Sequence, residues 1–451
     1  MTESQTNLPL LRCARTDIDG TDAFDNDLLD RQGLALKLTD YLERLKEGAV
    51  LAIDAPWGEG KTWFGKNWAQ HLANESHKTV YIDAFERDYV EDPFMMLTSE
   101  ILDMIDDKSD AEENLKKSGA KIAKALLPMA IKASLNFGGR VLLGSSDVSG
   151  EFKDAIASGT DDASELTSEW IKDKFDGYIQ DKIVMQEFKD RLKEYAQLQE
   201  KPIVIFIDEL DRCKPTFAVS LIERIKHFFD VPNIIFVLLL NRDQLEKAVK
   251  GVYGSETDGS AYLDKFITFF FRLPKPSPKD YNPEQHIERY VVSTLDKYNF
   301  PKDRSSADIT SLIMFFAIQF DLSLRDIERV VALYAFAYPV PKLNQILIYF
   351  IVIKQKFPSK FIQMVEGDKV IHEEFYRKTE ALLKIAIETG NTGNKNALEI
   401  FKEWHEAYSS EFKTLGENYK RIHGFMNEWG DTKYEDMLPY FSKQIDLVIE
   451  R

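Results

Sequence analysis

Cysteine is nearly absent, with Cys13 and Cys213 alone among 451 residues. Two such distant thiols are too few for a disulfide scaffold or a four-ligand zinc site, and they suit a reducing compartment, so the cytoplasm is the expected location. Positive charge is also short: 58 Lys and Arg against 75 Asp and Glu leave a net charge of −17. That field opposes non-specific attraction to nucleic acid or anionic lipid, and no dominant basic stretch counters it. A secretory leader is not expected, because Asp17, Asp19, Asp22, Asp25 and Asp27 stand where a positive segment and an apolar run would be needed. Membrane-spanning runs are wanting too. Lys121 to Gly144 is interrupted by Lys124, Pro128, Lys132 and Arg140, which makes it an amphipathic helix or two. Val330 to Ile353 carries only Lys342 as a charge, yet Pro339 and Pro341 split it into pieces too short to cross a bilayer. Buried core helices are expected there. Membrane association is therefore not expected; docking of an amphipathic Lys121 to Gly144 on an anionic surface is the minor reading.

What the chain does have is core-forming material, 44% hydrophobic and 12% aromatic, enough for two or three domains. Short apolar runs at Val50 to Asp54, Thr79 to Ala84, Ile203 to Ile207, Ile234 to Leu240 and Ile267 to Leu273 predict five strands. Helical patterns at Trp63 to Leu72, Phe217 to Phe229 and Arg242 to Val252 fall between them, the alternation of a doubly wound parallel α/β sheet. The charged, helical interval from about 100 to 201 reads as an insertion. Four prolines within Leu273 to Pro283 end the strand pattern, and only helical periodicity follows. The expected division is a core over 1–283 and an all-helical C-terminal domain over 284–451.

The first strand runs into Ala55-Pro56-Trp57-Gly58-Glu59-Gly60-Lys61-Thr62, with Trp63 opening the helical pattern. Against GxxxxGK[ST], only the first glycine is changed, to Ala55. Gly58 and Gly60 permit the positive φ angles that turn successive N–H groups inward, and with the following helix N-terminus these make a phosphate cradle. Residues Pro56 to Trp63 would enclose the phosphates. Lys61 would reach the β- and γ-phosphates, and Thr62 would place its hydroxyl on Mg²⁺. The bland alternative is a glycine-rich turn that happens to carry a lysine. The third strand delivers Asp208 and Glu209 to a carboxyl edge, where open α/β sheets bind ligands. There Asp208 would hold Mg²⁺ and Glu209 would orient and deprotonate the water attacking the γ-phosphate; the alternative is a helix cap or solvated turn.

The segment IVIFIDELDRCKP (Ile203 to Pro215) closely resembles the Walker B signature of the KAP family of P-loop NTPases. APWGEGKT, VYIDAFERD (Val80 to Asp88), FVLLLNRDQLEKAV (Phe236 to Val249), AYLDKFITFFFRLP (Ala261 to Pro274) and LSLRDIERV (Leu322 to Val330) follow the family's order over roughly residues 28 to 335. The resemblance implies an ASCE-type α/β core, with an additional strand between those of the phosphate loop and the Walker B motif, and ATP with Mg²⁺ as cofactors. It implies a catalytic role for Glu209. It sets Asn241 where such proteins sense the γ-phosphate, although a turn residue would also stand there. Arg325 and Arg329, four apart, would share a helix face as sensor or intersubunit finger, or else form a solvated basic face. Asp211 matches the signature and is a further candidate metal ligand, or a brace for the loop. The family often places transmembrane helices in the interval that here holds the lysine-interrupted segment. Its members occur in phage-exclusion loci, so the expectation is an ATPase coupled to conformational change or assembly, as a homo-oligomer or with a partner from the same locus, in anti-phage defence. A nucleotide-clamped scaffold with little turnover is the other reading.

Overall fold

The structure is a computed structural model; it describes residues 22–45, 47–90, 92–105, 110–125, 183–228, 231–275, 283–300, 304–337, 344–388, 395–409, 442 and 445. The amphipathic segment expected beyond residue 125, most of the insertion and the linker at 276–282 lie outside the described residues.

Five strands, β1 (Ala49–Asp54), β2 (Thr79–Asp83), β3 (Ile203–Asp208), β4 (Ile234–Leu240) and β5 (Phe269–Arg272), form one sheet in the order β2-β3-β4-β1-β5. Every neighbouring pair is parallel. β4 is the additional strand between the phosphate-loop strand β1 and β3, so the ASCE-type arrangement is present. The three central strands are buried on both faces, which is why they read as continuous apolar runs. Their period of two divides them between two cores: Val50, Ile205 and Phe236 face one side, and Leu51, Phe206 and Val237 the other.

Strand limits differ from expectation where a hydrogen bond commits the chain elsewhere. β5 starts at Phe269 because Ile267 N–H still donates to the Leu263 carbonyl, closing the preceding helix. The helix after the phosphate loop extends from Lys61 to Asn74, so Lys61 and Thr62 form its first turn. The helix at Pro215–Ile225 passes into a tighter turn at Lys226–Phe228. The flanks of the insertion pack onto the sheet: Val184, Phe188, Leu192 and Tyr195, spaced along a helix over residues 183–197, meet Phe94 and Phe228 in the same core.

All described elements after β5 are helices, and they share a separate core. Its centre is Asn344–Lys356, in which every residue from Ile346 to Ile353 is buried. The described parts of the long apolar stretch noted in the sequence, 330–337 and 344–353, lie in Leu324–Ala337 and in that helix, and most of their residues are buried. No helix among the described residues is long and apolar enough to cross a membrane. Phe316, fully buried, packs its ring 5.7 Å from Phe320, 5.9 Å from Tyr349 and 6.2 Å from Phe401. Phe316→Ala should therefore lose about 3–5 kcal/mol of stability, read as a lower midpoint in urea unfolding with an unchanged slope.

Candidate nucleotide-binding site

The phosphate loop leaves β1 at its carboxyl end. Gly58 (φ +85°) and Gly60 (φ +76°) adopt the left-handed conformation that turns the backbone inward, and Gly60 caps the helix Lys61–Asn74. A side chain at Gly58 has no room: a Cβ there would lie 2.7 Å from Ser323 Oγ and 2.8 Å from Arg325 Cβ. The Gly58 carbonyl also accepts the Arg325 N–H at 3.1 Å, so the C-terminal helix Leu324–Ala337 is seated directly on the loop. Gly58→Ala should cost at least about 1–2 kcal/mol from backbone conformation alone, and parting this contact should weaken nucleotide binding as well as lower the thermal midpoint.

Lys61 is buried. Its Nζ donates to the loop's own carbonyls, Ala55 at 2.7 Å and Pro56 at 3.2 Å, and burial lowers its pKa against the pull of Asp211, Asp208 and Asp54. Asp208 is 1% exposed, and burial pushes its carboxyl up. Three donors hold it down in part: the Thr62 hydroxyl, the Tyr81 hydroxyl at 2.8 Å from Oδ2, and the Glu209 N–H at 2.8 Å from Oδ1. Glu209 sits at φ +58°, a strained angle for a residue with a Cβ, and lines the cleft described below. Burial raises its pKa; Arg212, paired with it at 2.9 Å, works against the rise, and neighbouring Asp208 and Asp83 add to it.

These groups open on one cleft of about 780 Å³, a volume suited to a mononucleotide. Of the residues expected from the sequence, Trp57, Gly58, Gly60, Lys61, Thr62, Trp63, Asp208, Glu209, Asp211 and Arg325 line it. Pro56, Glu59 and Arg329 line a second cavity on the other side of the loop, and Asn241 lines neither. Asn241 immediately precedes the helix Arg242–Tyr253, accepting N–H bonds from Gln244 and Leu245 through its carbonyl, with no cap from its side chain.

Four features of the cleft were not read from the sequence. Tyr81, on β2, braces Asp208. The indole N–H of Trp57 donates to Asp211, clasping the phosphate loop to the segment after β3. Arg31, 2% exposed, donates to the Glu59 carbonyl at 2.7 Å and the Pro274 carbonyl at 3.1 Å, tying the loop to the end of β5; burial lowers its pKa to about 10. Finally, the stretch 22–29 and the helix Pro283–Lys297 supply the far walls through Asp27, Leu28, Tyr290 and Ser293. No local signal marks them, since each meets the motif only through the fold.

The donor chemistry fits a magnesium ion. A buried, partly destabilised carboxylate at Asp208 stands beside the Thr62 hydroxyl, with Asp83, Glu86 and Glu209 also facing the cleft. No cluster of three or more His, Cys, Asp or Glu suited to a metal occurs among the described residues. A P-loop ion does not need one, because one or two protein oxygens, waters and the nucleotide's phosphates complete its shell.

A parallel sheet with a phosphate loop after β1 and an acidic end on the strand beyond β4 defines a P-loop NTPase of the ASCE type. The chain belongs to the KAP family, whose P-loop domain matches residues 31–339. A Phage T7 exclusion protein of Escherichia coli (strain K12) is 31% identical over 81 residues, which is 18% of this chain and 11% of that protein's length. Among solved structures, the chain is similar to the Aeropyrum pernix ORC2 protein in ADPNP–ADP complexes, at 12% identity and a TM-score of 0.36 over 96% of both chains. It is also similar to the AMPPCP-bound DnaA of Aquifex aeolicus, at 10% identity and a TM-score of 0.29 over 96% of both chains. The likenesses to these two solved structures are too distant to speak to function.

Proposed function

We propose that this chain is a Mg²⁺-dependent ATPase whose nucleotide cycle repositions the C-terminal helices against the core. The observation that carries the reading is the convergence of Lys61, Thr62, Asp208 and Glu209 on one cleft at the carboxyl ends of β1 and β3. Lys61 would exchange the Ala55 and Pro56 carbonyls for the β- and γ-phosphates, a better partner for a buried ammonium. Thr62 and Asp208 would hold Mg²⁺, which supplies neutralising charge at the transferring phosphoryl group. Glu209 would take the proton of the attacking water as the bond to the γ-phosphorus forms and ADP departs. Arg325 faces the same cleft while its N–H holds Gly58, so it would bind the γ-phosphate and report its loss to the helix that bears it. Asn241 and Asp211 are secondary candidates, the first as a γ-phosphate sensor and the second as a metal ligand through Oδ1, since the Trp57 N–H takes only Oδ2.

ATP is the nucleotide that family membership favours, and assembly with further copies or with a partner is the proposed output. The short likeness to a phage exclusion protein supports anti-phage defence as the setting. Phosphate release from ATP, compared with GTP and with EDTA in place of Mg²⁺, tests the activity; release that ignores EDTA would refute it. Size-exclusion chromatography with and without a non-hydrolysable ATP analogue tests assembly, and an unchanged monomer would count against self-assembly.

One observation favours the other reading, a nucleotide-clamped scaffold. Glu209 is engaged by Arg212 at 2.9 Å, a pairing that would compete with water activation by the carboxylate. A clamp predicts tight ATP retention without phosphate release.

A further inference from the structure

Behind the phosphate loop, the second cavity of about 760 Å³ shares only Trp57 and Arg325 with the nucleotide cleft. Its walls come from Ala55 to Glu59, the end of β5, and the helices Leu324–Ala337 and Asn344–Lys356. Five cations line it, Arg272, Lys275, Arg325, Arg329 and Lys356, against three carboxylates, Glu59, Asp321 and Asp326. Each carboxylate already has a partner through at least one oxygen. Lys275 bridges Glu59 at 3.0 Å and Asp321 at 2.7 Å, while Asp326 accepts from the Ser323 N–H and hydroxyl and from the Gln355 amide. Lys356 is used by the Asp321 carbonyl. Arg272, Arg325 and Arg329 are left without an ion-pair partner among the described residues, in a chain whose net charge of −17 makes such a concentration of unmatched guanidinium unexpected.

A second, independent observation comes from the loop itself. Glu59 is 3% exposed, yet its Oε2 has no hydrogen-bond partner, although Oε1 is paired with Lys275. A buried carboxylate oxygen left unmatched costs free energy that a ligand donor would recover. The cavity thus combines planar guanidinium groups suited to bidentate binding of a multiply charged oxyanion with one acceptor awaiting an N–H or O–H.

The geometry points to a second ligand site in this cavity, for a small molecule whose phosphate-type oxyanion is taken by Arg272 and Arg329, and whose hydrogen-bond donor reaches Glu59. Arg325 can lean toward either cavity, so a ligand here touches the outer side of the loop that cradles nucleotide on its inner side. The site does not depend on hydrolysis at Glu209.

Pyrophosphate is a sufficient probe of the anion subsite. Thermal unfolding is followed with and without it in wild type, in Lys61→Ala, and in Lys61→Ala carrying Arg272→Gln and Arg329→Gln. The expected result is a rise in midpoint that survives Lys61→Ala and is removed by the two arginine changes. Wild type saturated with ADP gives a second way of masking the inner cradle, and the rise should survive there too. The arginine pair in an otherwise wild-type chain should keep its unliganded midpoint and bind ADP normally, since both side chains are exposed and unpaired. A rise that disappears with Lys61→Ala and with ADP, one that persists without the arginines, or none in wild type would each overturn the proposal. Because no arm reads turnover, failure here is distinct from failure of the ATPase reading.

Discussion

Lys61→Ala is expected to weaken ATP and ADP binding on the order of 10²-fold and to abolish phosphate release. The magnitude follows from removing an ammonium that would make charge-assisted bonds to two phosphates, each worth about 1.5–3 kcal/mol, against the partial compensation left by the loop's backbone N–H groups. The structure adds a condition. In the empty cradle Lys61 serves the Ala55 and Pro56 carbonyls, and its removal leaves those acceptors inside the loop without their donor. Some destabilisation of the unliganded protein should accompany the loss of affinity, and Lys61→Arg, too broad for this pocket, should not rescue binding. Titration of a fluorescent ADP analogue measures the affinity and a thermal scan the stability. Retained affinity in Lys61→Ala would remove the phosphate loop from the account.

Glu209→Gln is the complementary case. It keeps the shape and the hydrogen-bonding reach of the side chain but cannot take a proton, so turnover should fall about 10²–10⁴-fold while nucleotide affinity changes little. Affinity is expected to rise slightly, because one of the carboxylates crowding Asp208 and Asp83 is neutralised. The same crowding gives a pH signature. Burial raises the Glu209 pKa, and a general base works only when ionised, so the rate should fall with decreasing pH through a midpoint above that of an ordinary glutamate. Arg212 opposes that rise, so Arg212→Gln should move the acid limb of the profile to still higher pH. A limb that stays in place in Arg212→Gln would mean that another group controls the rate.

How much of this was legible in the residues depended on how local each signal was. β3 and β4 are runs buried on both faces, so their apolar composition alone marked them, and the Ile234 to Leu240 limits agree with the strand observed. The cradle was legible because its chemistry occupies consecutive positions from Ala55 to Thr62, and Asp208 with Glu209 because they end a run that could only be a strand. Glu59 was read as one more loop residue facing phosphate, whereas it is buried on the far side and bridged to Lys275, more than two hundred positions on. Tyr81 and Asp208, or Trp57 and Asp211, meet only because parallel strands carry their carboxyl ends to one edge, and no spacing along the chain encodes that meeting. Arg325 and Arg329 illustrate the limit of helical periodicity. Four residues bring both to one face, but the loop meets only the first turn of that helix, so the arginine about 6 Å further along the axis lines the outer cavity instead.

The most direct test of the central claim is a side-by-side measurement of ATP binding and Mg²⁺-dependent phosphate release on wild type and Glu209→Gln. The account predicts binding in Glu209→Gln equal to or slightly tighter than in wild type, and release in wild type alone. Release that continues in Glu209→Gln, or ATP bound by wild type with no release under any Mg²⁺ concentration, would contradict it, the first by placing water activation elsewhere and the second by making the chain a clamp.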